Sequence, residues 1–141
     1  MPRAIRLLIV VSMLTAVFAL PATVAAHDFA GCTPGFWKNH PEAWQGYTTD
    51  QTIGSVFASA DEPYASMTLL DGLGLQGGDD LAGAQEILLR AAIAWVLNQY
   101  PDSPDKKIAL VNERLENGTR NQIIKLAGKL DVMNNGDCTR D

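Results

Sequence analysis

The chain carries little of what most chemistry needs. Of its 141 residues only two are cysteines, Cys32 and Cys138, and only two are histidines, His27 and His40. No C-x-x-C occurs, so neither a dithiol redox centre nor a cysteine-based structural zinc site can be assembled. The G-x-S-x-G of serine hydrolases, the H-E-x-x-H of zinc peptidases and the P-loop are missing, and with no alternating strand pattern a Rossmann unit is not expected. These absences point away from a conventional enzyme. Positive charge is scarce too, with eleven basic residues against sixteen acidic ones. An acidic chain lacks the clustered cations that nucleic acid or an anionic membrane surface requires, so neither is an expected partner.

Only one long apolar run exists, at the N-terminus. Arg3 and Arg6 precede Leu7–Leu20, Pro21 breaks the run, and Val24 and Ala26 place small residues at the positions a signal peptidase reads. Residues 1–26 therefore read as a secretory signal peptide, with cleavage after Ala25 or retention as an anchor as the alternatives. A lipoprotein reading of "DFAGC" is weakened because His27 and Asp28 separate the box from the apolar run. Removal of Arg3 and Arg6 leaves nine basic residues against sixteen acidic, a net of −7, on residues 27–141. That length suits one secreted domain with no transmembrane anchor in the mature chain. In an oxidising compartment the two cysteines are most simply one terminal disulfide, Cys32–Cys138.

Between the cysteines the pattern is helical. "LAGAQEILLRAAIAWVLNQY", Leu81 to Tyr100, is apolar almost all round apart from Gln85, Glu86 and Arg90, the last two spaced as an i,i+4 pair. This predicts a buried central helix, capped by Asp79 or Asp80. Ser103-Pro104-Asp105 reads as cap, first-turn proline and first-turn acid of a second helix reaching about Glu116, with Ile108, Val111 and Leu115 inward. Thr119 to Gln122 fits a capping box for a third helix, whose inward stripe is Ile123, Leu126, Ala127, Leu130 and Met133. "NNG", Asn134 to Gly136, should end it. Short elements between Thr48 and Gly74 should contribute Ile53, Val56, Phe57, Leu69, Leu70 and Leu73 to the core. The expected class is all-α: a compact bundle around one buried helix, held by a terminal disulfide.

The unusual stretch is "GCTPGFWKNHPEAW", Gly31 to Trp44. Thr33-Pro34-Gly35-Phe36 suits a type II turn, and Pro41 suits the start of a short helix near an N-capping His40. Two uses compete. As a clasp, the stretch would bury Phe36, Trp37 and Trp44. As a binding surface, Trp37, Lys38, Asn39, His40 and Trp44 would meet an extracellular glycan or protein through an amphipathic aromatic and polar neighbours. A third reading uses cleavage after Ala26: the new amine and imidazole of His27, with His40, would give the three nitrogens of a copper site. Calcium is disfavoured, because Asp131 to Asp137 resembles an EF-hand loop only in its first half and Met133 stands at a ligand position. Asn117-Gly118-Thr119 matches the glycosylation sequon, which matters only in a eukaryotic host.

With these residues in view, the chain resembles a family of secreted bacterial domains and surface-protein modules that open with C-T-P-G-[FY]-W-K-N-H-P. The resemblance continues through Thr52–Phe57, Leu69–Leu73, Gly77-Gly78, Ile87–Asn98 and Leu130–Cys138, nearly the whole of residues 27–141. It implies secretion and a self-contained domain, and it supplies no catalytic residues or cofactor. No cell-wall sorting motif accompanies it here.

Overall fold

The computed structural model describes residues 31–138 except 100, 101 and 103. His27, the signal-peptide reading and the Ser103 cap lie outside the described residues. The elements are α1 (Pro34–Asn39), a 3₁₀ turn (Pro41–Ala43), α2 (Ile53–Val56), a second 3₁₀ turn (Tyr64–Ser66), α3 (Leu69–Gly72), α4 (Leu81–Gln99), α5 (Asp105–Asn117) and α6 (Arg120–Asn134). Among the described residues the only β pairing is one isolated bridge, Thr52 to Thr68. The class is all-α, as the helical periodicity predicts.

α4 is the axis of the bundle. Every residue from Ala91 to Leu97 is buried, and Ala84, Leu88 and Leu89 extend the buried surface towards its start. A 19-residue helix spans about 28 Å, long enough for all other elements to pack along it. α6 packs against it most extensively, through Ile123, Leu126, Ala127 and Leu130. α5 adds Val111 and Leu115; α1 adds Trp37; α2 and α3 add Ile53 and Leu69, with Phe57 next to α2. Val56, Leu70 and Met133, also expected inward, are half-buried.

The few polar residues of α4 hold loops. Glu86 and Arg90 are spaced to pair with each other, yet each turns to the chain before the helix. Glu86 accepts from the Gly77 amide (2.9 Å) and the Tyr64 hydroxyl (3.0 Å), while Arg90 donates to the Leu75 carbonyl (2.8 Å). Unpaired loop amides and carbonyls near a core cost more than a weak surface pair returns, so the loop takes both side chains. Asp80 caps the helix, its carboxylate accepting from the Gly83 amide at 2.7 Å. Gly72, Gly74 and Gly77 happen to spell G-x-G-x-x-G, but the series starts inside α3 and follows no strand, so it is not a dinucleotide loop.

Three local expectations are corrected. Thr33 to Phe36 does not form a type II turn. Thr33 Oγ1 accepts from the Phe36 amide (3.2 Å), which makes Thr33 the cap of α1 and puts Pro34 in its first position, where a missing N–H costs nothing. α5 begins at Asp105 with Pro104 as its cap residue, one place later than Pro104 at the first helical position. Asn134 does not terminate α6 from outside; it is the last helical residue and fully buried. The Thr119–Gln122 capping box forms as expected.

Cys32 and Cys138 are bonded across 106 residues. In the chain-entropy model a loop of this size contributes on the order of 4–5 kcal/mol. Two features oppose the fold. Trp95 is only 5% exposed and its indole N–H has no acceptor among the described residues; a buried donor left without one costs about 1–3 kcal/mol. Asp131 on α6 has its carboxyl pushed up by burial, with the Arg90 charge opposing the shift. A raised native pKa means the folded chain holds that proton more tightly than the unfolded chain. The ionised form therefore weakens the fold above the native pKa, and the penalty fades as pH falls through it. Asp131→Asn should raise the melting temperature at pH 7, and its advantage should shrink as pH falls through the raised native pKa of Asp131; thermal melts of both proteins across an acid pH series check this.

Candidate functional site

The opening stretch is positioned by one side-chain amide. Asn98, near the end of α4, uses all four of its hydrogen-bonding positions. Its Oδ1 accepts from the Cys32 backbone N–H (2.8 Å) and from Trp37 Nε1–H (3.1 Å). Its Nδ2 donates to the Cys32 carbonyl (2.9 Å) and to Asn134 Oδ1 (3.0 Å). Asn134 Nδ2 in turn donates to the Ala91 carbonyl (2.9 Å). Two donors on one side of Asn98 and two acceptors on the other leave only one orientation for the amide. It pairs with both backbone groups of Cys32 as a neighbouring peptide unit would. Gly31 completes the approach: a Cβ there would lie 1.8 Å from the Met133 carbonyl oxygen, so only glycine lets this strand of chain lie on α6.

This arrangement divides the predicted binding residues. Trp37 is fully buried with its N–H bonded to Asn98, so it offers no face to a ligand. Trp44 is half-buried, and its Nε1–H donates to the Trp37 carbonyl (2.9 Å), which folds the 3₁₀ turn back over α1. Asn39 is exposed but donates to the Gly35 carbonyl (2.9 Å) within its own helix. Lys38 is exposed, with its amino group lying over Gly74.

On the outer side, Phe36 and His40 stack with ring centroids 4.5 Å apart and planes inclined by 28°. They are four residues apart, the spacing that aligns side chains along one face of a helix. Phe36 also meets the buried Trp37 edge-on at 5.3 Å. His40 Nδ1 lies 3.0 Å from Glu42 Oε1. The Glu42 carboxyl is held below its ordinary value by a bond from its own backbone N–H and, next, by His40. Phe36, expected inward as part of the clasp, is half-buried and packs against the core; its stacking on His40 was not expected, although the i,i+4 spacing signals it.

Half-buried Phe36, exposed His40 and the Glu42 carboxylate beside His40 Nδ1 make up the outer side of this stretch. Among the described residues no group of three or more His, Cys, Asp or Glu side chains is placed to hold a metal ion. His40 is present for the copper reading, but His27 lies outside the described residues. No protein-family model matches the chain, and neither a curated protein nor a solved structure matches it.

Because the Asn98 amide joins Cys32, Trp37 and α6, Asn98→Ala should strand several polar groups at once and destabilise the fold by about 3–5 kcal/mol. Asn98→Asp keeps the acceptor but sets a carboxylate oxygen against two oxygen acceptors, and at pH 7 should cost at least as much as Asn98→Ala. Urea denaturation of the oxidised proteins gives the order. Equal stability of all three would remove the amide from its proposed place in the fold.

Proposed function

We propose that this chain is a small extracellular binding module whose outer α1 face contacts a cell-surface glycan or protein. The reading is carried by the Phe36–His40 stack, a half-buried ring against an exposed one, while their neighbour Trp37 is taken into the core. Sugar rings bury their apolar faces on such platforms while nearby donors and acceptors meet their hydroxyls. The Glu42 carboxylate, 3.0 Å from His40 Nδ1, supplies a polar group beside the stack. The disulfide, and the absence among the described residues of a helix long and apolar enough to cross a membrane, are compatible with secretion. The resemblance to secreted C-T-P-G-[FY]-W-K-N-H-P domains supports the same compartment.

Trp44 is the half-buried tryptophan beside the platform, whereas Trp37 and Trp95 are buried, so its fluorescence should report occupancy. Titration with solubilised cell-wall glycan should shift the emission. Phe36→Ala should weaken binding about tenfold, the loss expected when an aromatic anchor is truncated. Asn39→Ala should change affinity little, because its amide already serves Gly35. An emission shift equal in wild type and Phe36→Ala would sink the assignment of this face.

A further inference from the structure

The overall acidity of the chain hides a strong separation of charge. Residues 31–104 hold two cations, Lys38 and Arg90, against nine carboxylates. Residues 105–134, which are α5 and α6, hold six cations against four. Three of those six line one groove between the two helices. Its volume is about 280 Å³ and its lining is Leu110, Arg114, Gln122, Lys125, Leu126 and Lys129.

Lys125 and Lys129 stand one turn apart on α6, about 6 Å along the axis. Like charges at this spacing repel. Among the described residues neither lysine has an ion-pair partner; the pairs found are His40–Glu42 and Arg114–Glu113. Arg114 gives part of its guanidinium to Glu113, its neighbour in sequence, and still faces the groove. Leu110, at 37% exposure, is one of three large apolar side chains left open to solvent among the described residues. The groove thus joins spaced, unneutralised cations to an apolar floor.

We propose that this groove binds a linear polyanion, a chain whose regularly spaced oxyanions meet Lys125, Lys129 and Arg114 while its uncharged links lie over Leu110 and Leu126. Charge complementarity selects the occupant. An apolar peptide would leave the lysines repelling one another, and a neutral glycan would gain nothing from them. The shared chemistry is a row of phosphates or carboxylates, and the two sources are separated by experiment. The site shares no residue with the α1 face.

The test is isothermal titration of the disulfide-bonded full chain with inorganic polyphosphate, with polygalacturonate and with neutral dextran. At least one polyanion should bind, dextran should not, and log K should fall against log salt with a slope of about −2 for two to three cations engaged. Binding by polyphosphate alone or by polygalacturonate alone identifies the anion; binding by both shows that spaced charge suffices. Each of Lys125→Gln and Lys129→Gln should weaken binding about fivefold, the value of one cation near an anionic surface. Glu113→Gln should tighten it about twofold by freeing Arg114. Phe36→Ala should leave it unchanged, which separates this site from the α1 face. The proposal fails if neither polyanion binds at low salt, if dextran binds equally, or if the double lysine variant binds as tightly as wild type. It also fails if sedimentation shows the lysines joining two copies of the chain and the polymers cannot displace them.

Discussion

A single primary amide near the end of the central helix holds together three parts of the chain far apart in sequence. Asn98 meets Cys32 through both backbone groups, Trp37 through its indole and Asn134 through its side chain. Asn134 lies four residues before Cys138, so the amide network and the disulfide close the same seam. The two act differently. The covalent bond limits the unfolded chain, whereas the amide specifies how α1, α4 and α6 meet, because each of its four bonds has a direction.

The same constraint gives the opening stretch its two faces. Once Trp37 is drawn inward to Asn98, helical geometry turns Phe36 and His40 to the outside as a stacked pair. Trp44 is then tied back by its bond to the Trp37 carbonyl. The clasp and the proposed binding surface are thus compatible: Trp37 serves the buried side, and half-buried Phe36 with exposed His40 lies on the other.

The distribution of charge follows from the architecture as well. α4 is so thoroughly surrounded that its two charged side chains, Glu86 and Arg90, serve the loops preceding it. The segment before it, residues 31–80, carries seven of the chain's sixteen acidic residues and one cation, Lys38. α5 and α6 each present one face to α4 and one to solvent, and the cations of the chain gather on the solvent side. Among the described residues Lys125 and Lys129 have no ion-pair partner: Glu113 on α5 takes Arg114 instead.

Much of this was legible in the residues alone. The apolar circumference of Leu81–Leu97 required a buried helix, the 3.6-residue stripe of Ile123, Leu126 and Leu130 required a helix packed on one side, and Thr119 with Gln122 named its own cap. The paired cysteines indicated the closing bond. These features depend on periodicity and nearest neighbours, which one strand of letters displays. Asn98 was visible as an amide at the end of an apolar run, but its partners lie up to 66 residues away. Which tryptophan turned inward, why Glu86 and Arg90 abandoned each other, and how three cations came to line one groove were decided by tertiary structure. Directional bonds and shared surfaces between distant segments exist only after the chain has folded.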